Sequence, residues 1–316
     1  MTTATSHSPI TPLSSAWSVL PPEYAIPEQA PSDAEAREYC RRLARSHYEN
    51  FSVASWFLPG QLRQHFFNIY AYCRISDDLS DEVGDRVGSL LLLDQWETEL
   101  NACYDGHPRH PVFVALAETV RKFEIPKYEF SDLLKAFRQD QKVSRYETFN
   151  DLLGYCQHSA NPVGHLVLYL CGYRDSERRL LSDYTCTALQ LANFWQDVSA
   201  DYGKGRIYLP LEDLRRFGVG EHTICDGENT SAFCAMLEFE VERAREWFTQ
   251  GLPLIARVDP ALATDIELFS RGGQEILNAI ERQHYAVLGR RPAISKSRKL
   301  VLVARSALGK LLGKRR

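Results

Sequence analysis

The chain has 316 residues, enough for one large domain or two small ones, and 44% of them are hydrophobic, which excludes a protein that crosses a membrane many times. The net charge is −4, but residues 290–316 carry ten Lys and Arg and no acid, so the rest of the chain holds 27 basic and 41 acidic side chains. This asymmetry predicts an interaction tail at residues 290–316. The acidic body would repel nucleic-acid phosphates, so we expect no nucleic-acid partner.

The eight cysteines are scattered along the chain and form no Cys-x-x-Cys pair. The first residues lack the basic start and the apolar core of a secretory signal peptide. We therefore expect reduced, buried thiols in a cytoplasmic protein rather than a disulfide framework or a zinc site.

The N-terminal residues 1–32 are rich in Ser, Thr and Pro and have no periodicity, which predicts a disordered or loosely packed segment. Helical patterns follow, and no alternating strand pattern interrupts them, so we predict an all-α fold. Pro162 lies inside one of the predicted helices and is expected to kink it. The expected helices cover residues 61–83, 89–104, 111–123, 130–143, 151–171, 182–201, 212–217, 231–249 and 261–288.

A first acidic motif lies near the end of the predicted helix over residues 61–83. Asp77 and Asp81 are four residues apart and therefore lie one turn apart on the same face. Arg74 precedes them by one turn, and Asp78 and Glu82 complete the acidic run.

A second acidic stripe lies on the predicted helix over residues 182–201. Gln190, Asn193, Asp197 and Asp201 are spaced by three, four and four residues, so they share one face. Apolar residues flank this stripe, and burying its carboxylates is costly unless a salt-bridge network or a divalent cation neutralises them. Clusters of carboxylate and amide oxygens suit Mg²⁺. Two acidic helix faces therefore favour a facing pair that shares metal ions, with structural salt bridges as the alternative.

The basic tail over residues 290–316 places Leu300, Ala304, Leu308 and Leu311 on one helical face. A basic amphipathic helix suits an anionic membrane surface, and a solvated or packed terminal helix is the alternative. No stretch reaches the roughly 20 apolar residues of a spanning helix, so any membrane contact would be peripheral.

The sequence contains no GxGxxG, P-loop, GxSxG or HExxH motif, which argues against nucleotide-dependent enzymes, serine hydrolases and zinc peptidases. The first motif reads Asp77-Asp78-x-x-Asp81-Glu82, and the second runs from Gln190 to Asp201 and on into Arg206-Ile-Tyr-Leu-Pro210. Together they resemble the squalene/phytoene synthase family. The resemblance covers about residues 47–284. Within the family, residues 47–55 and 155–164 resemble the bacterial hydroxysqualene synthase branch of hopanoid biosynthesis.

This resemblance implies an all-α isoprenoid-synthase fold, with a single catalytic domain over residues 33–289 and a central apolar cavity between antiparallel helices. It implies an Mg²⁺-dependent enzyme that converts presqualene diphosphate and water into hydroxysqualene and diphosphate. The alternative within the same fold is a head-to-head condensing synthase that makes presqualene diphosphate, squalene, phytoene or dehydrosqualene. A non-enzymatic membrane-surface scaffold is a weaker alternative. Docking to pathway enzymes, and to the inner face of the membrane through the basic tail, stays open.

The resemblance also assigns individual residues. Six side chains are predicted to hold Mg²⁺ directly or through water: Asp77, Asp78, Asp81, Asn193, Asp197 and Asp201. All of them except Asp78, which could instead orient a ligand, are predicted to be catalytic, because the ions neutralise the charge of the departing diphosphate.

Ten further side chains are predicted to bind substrate: Arg74, Arg206, Tyr208, Gln190, His47, Tyr48, Asn50, Tyr70, Gln157 and Asn161. The alternatives are a counter-ion role for the arginines, core packing for the aromatics and helix–helix hydrogen bonding for the amides. Lys204 is a weaker diphosphate candidate, because it lies in a Gly-Lys-Gly loop. Gln157, His158 or Asn161 is expected to place the water that quenches the carbocation, since a mostly dry cavity can admit water only where polar groups hold it.

Overall fold

The computed structural model describes residues 16–46 and 59–295. In these residues the regular structure is helical, apart from one isolated parallel bridge between Arg145 and Ile207, and this confirms the predicted all-α single domain. Short 3₁₀ turns occupy Pro22–Tyr24 and Leu252–Arg257. The α-helices are α1 (Asp33–Ser46), α2 (Gly60–Asp81), α3 (Arg86–Asp105), α4 (Pro111–Phe123), α5 (Tyr128–Asp140), α6 (Phe149–Ser159), α7 (Asn161–Leu170), α8 (Ser176–Gly203), α9 (Leu211–Arg216), α10 (Glu221–Cys225), α11 (Ser231–Gly251) and α12 (Pro260–Arg282).

Local sequence explains where these helices begin and end. The Asp85 carboxylate caps the first turn of α3, and the helix ends at Gly106, whose φ of 89° is the left-handed conformation that favours glycine. Thr148 and Asp151 form a capping box at the start of α6. Asp175 caps α8, the 28-residue helix that carries the second acidic motif.

The stretch predicted as one kinked helix over residues 151–171 is two helices. The backbone breaks at Ala160, so α6 ends at Ser159 and α7 begins at Asn161. Pro162 then lies in the first turn of α7, where the missing amide hydrogen costs no hydrogen bond. The prediction of a single kinked helix was therefore wrong, because the proline lies at the start of a second helix.

The helices pack into two hydrophobic cores. The first surrounds α2, is built mainly from α1 to α5 and fully buries Trp96 and Phe113. The second surrounds α8, which packs against α11 and α12, and fully buries Trp195 and Phe233. Because α7 packs against both α2 and α8, it joins the two cores. We call the region where the C-terminal ends of α2 and α8 approach each other the seam.

The described part of the N-terminal segment is packed more tightly than its composition predicts. Ala16, Leu20 and Tyr24 are buried in the α2 core, and the Tyr39 hydroxyl donates to the carbonyl of Glu23 at 2.9 Å. The prediction from Ser and Pro content missed this packing, because a few apolar side chains between the prolines are enough to anchor the segment to the core. Residues 1–15 lie outside the described residues.

All eight cysteines are free thiols, as expected. Cys225 is exposed, although we expected buried thiols. In the described parts of the chain, no helix is long and apolar enough to cross a membrane. The predicted amphipathic part of the tail, residues 296–316, falls outside the described ranges and stays a prediction.

Candidate functional site

The end of α2 presents the first acidic motif, and its two adjacent aspartates have different surroundings. Asp78 is buried, and both of its oxygens contact the Arg74 guanidinium, with the Arg74 Nε at 3.0 Å. The Tyr24 hydroxyl also donates to Asp78 Oδ2 at 2.7 Å. The Asp78 carboxylate is thus held by protein donors, and its predicted metal ligation stays a prediction.

Asp77 has much weaker partners. Its Oδ2 lies 3.7 Å from Arg74 Nη1. Partial loss of hydration and then the negative charge of Asp81 raise the pKa of Asp77 to about 6, against the opposing charge of Arg74. On this face of α2, the negative charges of Asp77 and Asp81 are therefore not fully balanced by the positive charge of Arg74.

The second acidic motif lies on one face of α8, as the spacing predicts. Leu191, Trp195 and Val198 are buried on the core side, while Asn193 is exposed and Asp197 is half-buried. Farther along the stripe, burial and then the charge of Asp197 raise the pKa of Asp201 to about 7, although Arg206 and Lys204 oppose the rise. Gln190, one turn before Asn193, is also half-buried.

The two motifs meet at Asp81. Lys204 Nζ donates to Asp81 Oδ2 at 2.6 Å, and both terminal nitrogens of Arg206 lie 3.0 Å from Asp81 Oδ1. Burial alone would raise the pKa of Asp81, but these cations hold it below its ordinary value. The ion pairs connect residues more than 120 positions apart in the sequence and join the C-terminal end of α2 to the loop after α8.

The electrostatics of the seam decide whether its donors fit a divalent cation. Among the described residues, no three or more His, Cys, Asp or Glu side chains form a ready-made metal cluster, and Asp81 and Asp197 are ion-paired with basic side chains. The raised pKa values of Asp77 and Asp201 nevertheless indicate negative charge that these cations do not balance. With carboxylates and the Asn193 amide as the available donors, the chemistry of this set fits Mg²⁺.

Arg291 is a site residue that sequence reasoning missed. Its guanidinium pairs with both oxygens of Asp197, with Nη2 at 2.9 Å from Oδ2, and Nη2 also donates to Gln196 Oε1 at 3.2 Å. The Gln196 amide in turn donates to the carbonyl of Pro292 at 2.6 Å. From the sequence alone, Arg291 is one of the ten basic residues of the tail, and no local pattern links it to α8.

Asp140, the last residue of α5, was also missed. The Tyr155 hydroxyl donates to its Oδ2 at 2.7 Å, and the Tyr208 hydroxyl donates to its Oδ1 at 3.2 Å. Tyr208 is buried and stacks on Phe194 with ring centroids 4.0 Å apart. Burial raises the pKa of Asp140 to about 6 despite the opposing charge of Arg206. The hydroxyl of Tyr208, a predicted substrate ligand, is therefore engaged with Asp140.

The remaining predicted substrate ligands are spread over several elements. Asn161 is buried and accepts a hydrogen bond from the Thr187 hydroxyl at 3.0 Å, which is the helix–helix role weighed as its alternative. Gln157 is exposed on α6, and His158 lies 3.8 Å from Asp132. Three of the ligands lie outside the described residues: His47, Tyr48 and Asn50.

Tyr70 lies on α2 one turn before Arg74. It is half-buried, and burial raises the pKa of its phenol while the charge of Arg74 lowers it. The side chain is thus close enough to the first acidic motif to feel its charges, which is compatible with the predicted contact to substrate.

Comparison with known proteins gives a consistent result. A family model described as squalene/phytoene synthase matches residues 44–298. The solved structure of squalene synthase HpnC from Alicyclobacillus acidocaldarius is 43% identical, with a TM-score of 0.76 over 85% of this chain and 98% of that one. A dehydrosqualene synthase structure is 27% identical, with a TM-score of 0.80 over 87% and 96% of the two chains. A phytoene synthase from Arthrospira platensis is 30% identical over 281 residues, 85% of this chain and 91% of that protein.

Proposed function

Because the chain belongs to the squalene/phytoene synthase family, whose members act on prenyl diphosphates, we propose that it is a hydroxysqualene synthase. It would ionise presqualene diphosphate, capture water at the resulting carbocation and release hydroxysqualene and diphosphate.

The observation that carries this proposal is the difference in sequence identity between relatives. The chain is 43% identical to HpnC but only 27% identical to the dehydrosqualene synthase and 30% identical to the phytoene synthase cited above. The stretches 47–55 and 155–164 support the same branch. Since HpnC is described as a squalene synthase, formation of squalene or of another head-to-head product is the second candidate.

Side chains along the seam would hold the metal ions in this proposal: Asp77, Asp81, Asn193, Asp197 and Asp201. Bound Mg²⁺ would supply positive charge to the leaving diphosphate. The chain adds its own cations at the same place, because Lys204 and Arg206 already lie at Asp81 and Arg291 lies at Asp197. Arg206 is well suited to phosphate, since its planar guanidinium offers paired donors.

Gln157 is the stronger of the water-holding candidates. Asn161 is buried and its carbonyl oxygen is engaged by Thr187, while His158 faces Asp132. Gln157 is exposed, so its side-chain amide is accessible to a water molecule. If Gln157→Leu still gives hydroxysqualene as the main product, the proposed placement of water is wrong.

A product assay tests the function. Purified full-length protein is incubated with Mg²⁺ and either presqualene diphosphate or farnesyl diphosphate, with and without NADPH, and the products are identified by mass spectrometry. A hydroxylated C30 alcohol from presqualene diphosphate supports the proposal. Presqualene diphosphate or a hydrocarbon from farnesyl diphosphate supports the second candidate instead. Asp197→Asn is the inactive control, and Glu246→Gln, at an exposed acid on α11, is the matched active control.

A further inference from the structure

The segment before α1 brings one polar side chain to the first acidic motif. Tyr24 lies in the 3₁₀ turn Pro22–Tyr24, is 2% exposed and donates its hydroxyl to Oδ2 of Asp78 at 2.7 Å. The family model matches residues 44–298, so this tyrosine lies before the matched part of the chain. The motif at the end of α2 therefore has a buried hydrogen-bond partner that the shared part of the family sequence does not supply.

Three contacts hold the segment that carries this tyrosine. The Trp17 indole donates to Oε1 of Gln95 on α3 at 2.8 Å. The Tyr39 hydroxyl on α1 donates to the carbonyl of Glu23 at 2.9 Å. Leu20 is buried in the core around α2. Because the segment is tied to α1, α2 and α3, the fold determines where its tyrosine hydroxyl meets the acidic motif.

Asp78 in turn holds the guanidinium of Arg74. Both oxygens of Asp78 contact it, Oδ2 with Nε at 3.0 Å and Oδ1 with Nη2. This two-pronged pairing fixes the plane of the guanidinium as well as its distance. The other terminal nitrogen, Nη1, lies 3.7 Å from Oδ2 of Asp77, whose side chain is 50% exposed. That distance is too long for a hydrogen bond, so Nη1 can still donate to an anion on the exposed side of the pair.

From these contacts we propose that Tyr24 is a positioning residue for diphosphate binding. Its hydroxyl fixes the direction of the Asp78 carboxylate, and Asp78 fixes the plane in which Arg74 presents Nη1 to a diphosphate oxygen. Tyr24 acts through these two side chains and needs no contact of its own with the ligand. This inference rests on the proposed function, because that function makes Arg74 a ligand of the substrate diphosphate.

Tyr24→Phe tests the proposal, because it removes the hydroxyl and keeps the ring. The affinity of the full-length protein for inorganic diphosphate in excess Mg²⁺, measured by calorimetry, should fall about three- to tenfold, within the range of coupled neighbouring side chains. In an Arg74→Lys background, where the two-pronged pairing is lost, the same substitution should change the affinity less than about twofold. Mn²⁺ affinity without diphosphate should also stay within about twofold of wild type, since the effect acts through Arg74.

Tyr39→Phe is the matched control, because it removes a hydroxyl that holds the same segment at Glu23 rather than at the acidic motif. It should lower the melting temperature and leave diphosphate affinity unchanged. Equal losses of affinity in Tyr24→Phe and Tyr39→Phe would overturn the proposal, since they would indicate general loosening of the segment. An equal effect of Tyr24→Phe in both Arg74 backgrounds would also overturn it.

Two further outcomes separate this inference from the proposed function. If wild type binds diphosphate and Tyr24→Phe binds it equally well, the positioning role is wrong and the proposed function stands. If wild type does not bind diphosphate in the presence of Mg²⁺, the proposed function is wrong and the inference falls with it.

Discussion

Asp77 and Asp78 are adjacent, yet replacing each by Asn should produce opposite effects. Asp78 is buried and neutralises Arg74 while accepting the Tyr24 hydroxyl. Asp78→Asn leaves the guanidinium with only the distant Asp77. Removing one partner of a fully buried pair costs roughly 3 to 5 kcal/mol, and Arg74 is 31% exposed, so we expect a loss of about 2 to 3 kcal/mol in the free energy of unfolding.

Asp77→Asn should not destabilise the protein. The pKa of Asp77 rises from 3.8 to about 6, and at roughly 1.36 kcal/mol per pK unit this corresponds to about 3 kcal/mol of unfavourable charge at neutral pH. Its side chain is 50% exposed, and solvent screening reduces the figure to about 1 kcal/mol. Because the folded-state pKa is raised, this cost appears as pH rises from 3.8 toward 6, and the Asn variant escapes it.

Thermal melts and Mn²⁺ titrations at pH 7.5 separate the two variants. Asp78→Asn should melt about 5 °C lower and, below its melting temperature, bind Mn²⁺ within about threefold of wild type. Asp77→Asn should melt at or slightly above the wild-type temperature and bind Mn²⁺ at least about tenfold more weakly. Equal melting temperatures for the two variants, or weaker Mn²⁺ binding by Asp78→Asn than by Asp77→Asn, would refute this division of roles.

Three further predictions concern stability. Gly164→Ala should cost about 1 to 3 kcal/mol in unfolding free energy, because a Cβ at this crossing of α7 and α8 would lie 2.6 Å from Cys186 Sγ; chemical denaturation measures the loss. Burial raises the pKa of Glu240 to about 8, so wild type should lose stability as pH rises from about 4.5 to 8; melts across that range should show a weaker pH dependence in Glu240→Gln. Burial lowers the pKa of His165, but the hydrogen bonds that its ring nitrogens donate to Asp183 and Glu129 raise it overall. Its stabilisation should therefore be present below about pH 6.5 and fade above, so His165→Gln should lower the melting temperature more at pH 6 than at pH 9.

The fold and half of the site follow from local sequence patterns. Asp197 and Asp201 were identified because the period of a helix alone puts them on one face, and Asp77 and Asp81 were identified in the same way. The predicted meeting of the two motifs is seen in the bonds from Lys204 and Arg206 to Asp81. Hydrophobic periodicity likewise predicts six of the twelve helices to within three residues at each end.

The residues that were missed depend on tertiary contacts. Asp140 is a single acid at the end of a helix, and the tyrosines that donate hydrogen bonds to it are 15 and 68 residues away in the sequence. Arg291 reaches Asp197 across 94 residues, and Tyr24 reaches Asp78 across 54. Such partnerships leave no periodic trace in the chain, so no spacing rule could have found them. Pro162 shows the complementary limit, because a proline can kink a helix or start one, and packing decides between the two.

The two cores are not independent of each other. Helix α5 contributes Phe130 to the core around α2 and Ala136 to the core around α8, and α7 packs against both α2 and α8. We therefore expect the two halves of the molecule to unfold together in a single cooperative transition rather than one after the other.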